Sequence, residues 1–250
     1  MKIKQAADFI ADVSDSDVNR YKIYMNSIRP VTSIDLFKRW LFAFSSVHTT
    51  WKYNCNLYLA LSYLDWLGDE SKLRSIIVDS KAGLYNTRTK FISEFSNKFW
   101  SNPDWYWKRS DENWVEYRDR VCEATVGIGR AKSSFVVEMS YPSSSRVICT
   151  DTHVMQWHGF STADISKGKV SDKTERLIEE CWVELCRMRN IPPVVARWIS
   201  WDKQQKQPDS RYWTRVFEQP KLLTAPDLAK VAETVMSLHQ TENSNHTNSS

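Results

Sequence analysis

The sequence predicts an all-α protein, on three grounds. Apolar residues recur with helical spacing along most of the 250-residue chain. Only six glycines and eight prolines interrupt that pattern. No stretch alternates as a half-buried strand does, and none shows the strand–helix cadence of a parallel sheet.

Taken in order, Ser33 can cap a helix carrying Leu36, Phe37, Trp40, Leu41 and Phe44 on one face. A second helix is expected over Trp51 to Leu67, stopped by Gly68, and a short one over Asp69 to Val78. The turn Gly83-Leu84-Tyr85-Asn86-Thr87 feeds a helix from Arg88 to Phe99, followed by a polar, aromatic connection at 100–113. Asn113 or Asp111 opens a helix ending near Thr125. Gly127 to Gly129 then leads into a helix over Ala131 to Ser140 with Phe135, Val136 and Met139 inward. A loop at Tyr141 to Ser145 and an extended piece from Arg146 to Cys149 precede Asp151. Further helices are expected at 152–158, 172–189, 192–204 and 225–239, and Thr241 to Ser250 should be a disordered tail.

Composition sets limits. Hydrophobic residues at 42% and charged residues at 26% suit a soluble globular protein. No apolar run could span a bilayer and no signal peptide is visible, so no membrane partner and a cytoplasmic, intracellular setting are expected. A net charge of +4 permits a polyanionic partner without requiring one. Cys55, Cys122, Cys149, Cys181 and Cys186 form no CxxC pair and read as buried thiols rather than disulfides or an iron–sulfur loop. Twelve tryptophans are present. Trp182, Trp198, Trp201 and Trp213 read as core. Trp100, Trp105, Trp107 and Trp114 fall in or beside the polar connection, where a ring face could stack on a base.

The most informative pattern is Val126-Gly127-Ile128-Gly129-Arg130-Ala131-Lys132 followed by Thr150-Asp151-Thr152-His153. A Gly-x-Gly turn ahead of a helix directs backbone N–H groups and the positive end of the helix dipole outward, a seat for a phosphate. Arg130, Lys132 and Ser133 are placed to add charge-assisted or hydroxyl contacts. Asp151 supplies a carboxylate and can also cap the helix beginning at Thr152.

With these residues the chain resembles the helix-hairpin-helix DNA glycosylase superfamily, which includes endonuclease III and the 8-oxoguanine and adenine glycosylases. The resemblance covers roughly residues 31–160. Ser45-Ser46-Val47-His48-Thr49-Thr50-Trp51 is similar to the early motif beside the flipped base, and the Gly83 turn to the one opening the fourth helix of endonuclease III. Gly127-Ile128-Gly129 matches the hairpin. Asp151-Thr152-His153-Val154 matches the block whose Asp is catalytic.

The resemblance implies a two-lobed fold with a cleft. It places a central lobe at 31–148, with the helix-hairpin-helix at 115–140, and a second lobe at 1–30 plus 149–240. It also implies a monomeric enzyme acting on double-stranded DNA that contains a modified base. Asp151 is then catalytic, Gly127, Gly129, Arg130, Lys132 and Ser133 contact DNA, and His48, Thr50, Trp51, Tyr53, Trp105 and Trp107 are the base-pocket candidates.

Three departures shape the expected chemistry. Ala131 stands where bifunctional members carry a nucleophilic lysine, and Lys132 comes one residue later, rotated by roughly 100 degrees on a helix. A monofunctional enzyme that uses water, without lyase activity, is therefore expected. His48 replaces the common Gln; it is either a helix-surface histidine or a base contact. The long aromatic connection suits a bulky base, such as a glucosylated hydroxymethylcytosine of phage DNA, and hence a role in antiphage defence. Related phage proteins carry Lys at the place of Lys132, which keeps a second activity open: a transferase that hypermodifies hydroxymethylpyrimidines. A non-catalytic DNA-binding module is the third reading. No cofactor is implied. No metal is expected either, since His153 has no other ligand spaced with it and should instead steady the Asp151 loop by a hydrogen bond.

Overall fold

The computed structural model describes residues 2–204. The helix expected at 225–239, the tail at 241–250 and Trp213 lie outside the described residues. Within them are twelve α-helices, one 3-10 turn and no strand, and no helix is long and apolar enough to cross a membrane.

Two compact units form. One holds Val31–Ser110 and Glu123–Ile128; the other holds the described parts of Met1–Pro30, Asp111–Cys122 and Gly129–Tyr212. This division differs from the expected lobes, because 111–122 and 129–148 join the terminal segments instead of the central ones. Buried charge explains it. Arg118 pairs with Glu179 at 3.0 Å, and Arg197 lies 3.6 Å from Glu138, so each segment is held to a later helix by groups that cannot be left unpaired.

The unit containing Asp151 begins with α1 (Ile3–Asp12) and α2 (Asp15–Ser27), neither expected from the sequence. Helix α1 buries Ala6, Phe9 and Ile10 on one stripe, and Ser14 caps α2 by accepting from the Asp17 amide. In the other unit, α3 (Ser33–Ser45) is capped by Thr32 rather than Ser33, in a reciprocal box with Asp35. Its Phe37 lies 5.6 Å from Phe95 and 5.0 Å from Trp100, at the centre of the aromatic core.

Helix α4 (Trp51–Leu61) is shorter than expected. Leu64 adopts a left-handed conformation, φ 61°, and the Trp66 indole N–H takes the Leu61 carbonyl at 2.8 Å, so the chain turns before Gly68. There follow α5 (Glu70–Asp79), α6 (Tyr85–Ser101) and the 3-10 turn Pro103–Tyr106.

Helix α7 (Trp114–Ala124) is opened by Asn113, whose side chain accepts from the Val115 and Glu116 amides while Glu116 accepts from the Asn113 N–H. Then come α8 (Arg130–Ser140), α9 (Thr152–Trp157), a short α10 (Thr162–Ser166) that the sequence did not announce, α11 (Asp172–Met188) and α12 (Pro193–Gln204). Phe9 stacks on Trp157 at 4.7 Å and on Trp182 at 5.9 Å, joining α1, α9 and α11. Trp100, Trp182 and Trp198 are buried, whereas Trp105, Trp107, Trp114 and Trp201 are half-buried. All five cysteines are free; only Cys149 and Cys186 are fully buried, the other three half-buried.

Candidate active site around Asp151

The segment from Val147 to Thr150 is buried and carries the chain directly into the N-terminus of α9. There Asp151 is extended (φ −76°, ψ 178°), and its Oδ1 accepts the amides of His153 and Val154, both at 3.0 Å. This is the N-cap its position predicts. The other oxygen, Oδ2, accepts from Nη2 of Arg197 at 2.6 Å. Three donors thus fix the carboxylate, yet its side chain keeps 22% of its surface exposed. The expected support from the His153 side chain is not what holds the loop. Nδ1 of His153 is buried without a hydrogen-bond partner, and the backbone amide does the holding.

Arg197 lies on α12, its side chain 7% exposed. Its Nη1 is 3.6 Å from Oε2 of Glu138, a fully buried carboxylate on α8. Glu138 also accepts the Cys149 amide at 2.8 Å and the Trp198 indole N–H at 3.4 Å. Burial pushes the Glu138 carboxyl up to about 7, and the nearby Asp151 charge adds to that rise; Arg197 and the Cys149 amide oppose it. Arg197 itself is held above its ordinary value by the two carboxylates, against its own desolvation.

The hairpin residues meet different fates. Gly127 has φ +86°, and a Cβ there would stand 2.1 Å from the Phe91 ring, so this position admits only glycine without rearrangement. Gly129 caps α8 in ordinary extended conformation, and a Cβ there would meet open space. Arg130, expected at a phosphate, is engaged by Glu175 and by the Asp172 carbonyl at 3.2 Å. Ser133 is fully buried, with a hydroxyl that has no partner, so it does not offer itself to a ligand in solvent. Lys132, unlike Arg130, has no ion-pair partner among the described residues. Its Nζ sits 5.6 Å from the centroid of the Phe135 ring, the same ring that Arg197 approaches at 5.4 Å, and its charge is felt at the Cys149 thiol. Lys132 therefore belongs to the surroundings of Asp151.

The base-pocket candidates all lie in the other unit. His48 is exposed in the turn after α3, with φ 47°, and not on a helix surface. Thr50 is the residue before α4 but makes no side-chain cap; Trp51 and Tyr53 are half-buried in its first turn, and Trp51 meets Phe42 edge-on at 6.0 Å. Trp105 stands edge-on to Tyr106 at 5.0 Å, with the Arg109 guanidinium 5.9 Å from its ring, and Trp107 follows at the end of the 3-10 turn. Buried Arg88 organises the two turns of this unit. It donates to the carbonyls of Phe44 and Val47 and to those of Ala82 and Gly83, the last at 3.0 Å.

The sequence pattern gives Arg197, Glu138 and Arg88 no role. Arg197 and Glu138 each interrupt an apolar run, Val194-Val195-Ala196 and Phe135-Val136-Val137, and a charge inside such a run is the one legible sign of a buried pair. Comparison with family models, with curated proteins and with solved structures produces no match.

Proposed function

We propose that the protein is a monofunctional DNA glycosylase acting on a flipped-out modified base. Cleaving the bond between deoxyribose and base builds positive charge on the sugar, and a fixed carboxylate beside it stabilises that charge and orients the attacking water. Water adds to the sugar carbon as the bond to nitrogen breaks, and the base departs with a proton. The observation that carries this reading is the state of Asp151: it is immobilised by two amides and a guanidinium, and it is still partly exposed.

Further support comes from the start of α8. The open space at Gly129 leaves room for a phosphate against the first turn, and the unpaired Lys132 supplies charge there. Ala131 at the position of the lyase nucleophile favours hydrolysis without strand cleavage. The base expected from the sequence is a bulky one, with glucosylated hydroxymethylcytosine in phage DNA as the leading candidate.

The test is incubation of the full chain with duplex DNA containing that base or other modified pyrimidines, followed by alkali cleavage and nucleoside mass spectrometry. Free base and alkali-labile sites, both lost in Asp151→Asn, are expected. A heavier nucleoside would indicate group transfer in place of excision. Binding without either product, unchanged in Asp151→Asn, would leave only a DNA-binding module.

A further inference from the structure

Asp151, if it is the reactive carboxylate proposed above, does not act with its full charge, because a guanidinium that it shares with a second carboxylate offsets part of it. We infer that Arg197 and Glu138 are positioning residues for Asp151: Arg197 fixes the carboxylate's orientation, and Glu138, drawing on the same guanidinium, decides how much negative charge Asp151 retains for a developing cation.

The geometry is asymmetric in a telling way. Arg197 makes a direct 2.6 Å hydrogen bond to Asp151 but stands off Glu138 at 3.6 Å, and its Nε has no partner. Glu138 is instead anchored by the Cys149 amide two residues before Asp151, so both carboxylates are tied to one short segment. When Glu138 is ionised, two negative charges share one positive charge and the cluster carries a net negative charge. When it is protonated, Arg197 neutralises Asp151 alone. The switch between these states falls near pH 7, where burial places the Glu138 carboxyl. The charged and titratable groups facing Glu138 are Arg197 from α12, and Asp151 and Cys149 from the segment leading into α9. Lys132, on its own helix, acts on Cys149. Of these, the Cys149 thiol is itself pushed up by burial to about 12 and stays neutral through this range.

Carbon-13 NMR of side-chain carboxyls in the full chain, titrated from about pH 5 to about pH 9, reads the coupling directly. In wild type the Asp151 signal is expected to show a step at the Glu138 midpoint. Glu138→Gln, isosteric and uncharged, should erase that step. In Asp151→Asn the Glu138 midpoint should fall, because the nearby like charge has gone. An Asp151 signal that ignores the Glu138 midpoint, a step that survives Glu138→Gln, or a Glu138 midpoint unmoved in Asp151→Asn overturns the inference. Should Glu138→Gln fail to fold, the wild-type titration and Asp151→Asn decide alone. On glucosylated hydroxymethylcytosine DNA, wild-type excision should rise through the Glu138 midpoint, while Glu138→Gln shows no such rise. Absence of excision with the NMR step present would dismiss the glycosylase reading and leave the charge coupling standing.

Discussion

Arg118 and Arg197 are both buried, each pairs with a buried glutamate, and the two glutamates accept neighbouring amides, Ile148 at Glu179 and Cys149 at Glu138. The resemblance ends where their charge leads. From Arg118, Nη1 reaches both Glu179 oxygens and Ser134, and Nε reaches Asp119, which passes the ion pair on to Arg176 on an exposed face. Arg197 instead terminates on Asp151, a carboxylate open to solvent in part. A buried pair whose chain runs into further ion pairs explains how α7 is held to α11. One whose chain ends on an accessible acid at a helix N-terminus is where chemistry is to be sought.

The largest difference between the two clusters should appear in stability. Glu179→Ala leaves Arg118 buried without its main partner and should cost about 3–5 kcal/mol in urea unfolding. Asp151→Asn should stay folded, since Asn also caps a helix well, while excision falls by about 100- to 1000-fold. Comparable destabilisation by both variants would erase the distinction between a structural and a functional arginine.

A smaller effect comes from pH. The native state keeps the Glu138 proton between its ordinary value of 4.5 and about 7, while the unfolded chain has released it. Stability from this group is therefore full below 4.5 and declines as pH rises to about 7. His158, whose burial lowers its pKa below 6.5, works the other way, adding stability as pH rises towards 6.5. The informative quantity is thus the difference in melting temperature between wild type and Glu138→Gln, which should shrink as pH falls from about 7 to 4.5 if the charge is what costs. The smallest effect concerns the hairpin's own cations. Lys132→Ala should weaken DNA binding across all sequences and reduce the salt slope by about one. Arg130→Ala should leave the slope unchanged, because its charge is already committed to Glu175.

Helices, their caps and the positions of special backbone were legible in the sequence where the cause is local. Asn113, Gly127 and the Asp151 cap each depend on partners within a few residues or on a backbone angle that glycine alone tolerates. The same local reading misjudged α4, since the turn at Leu64 depends on where Trp66 is buried. Neither α1 nor α2 is expected from that reading, although the apolar stripe of α1 and the Ser14 cap of α2 are present in the sequence.

By itself, then, the sequence determined that the described residues are all-helical, with an acid at the start of α9 and a glycine turn before α8, because periodicity and capping act over a single turn of backbone. Tertiary structure alone decided which charges survive as free ones. Arg130 is spent on Glu175, Ser133 is sealed in the interior, and Lys132 is left unpaired. It likewise brought Glu138 and Arg197 to Asp151 from helices far apart in the chain. The physical reason is that a buried charge must find its counter-charge wherever packing delivers one, and no local pattern records that address.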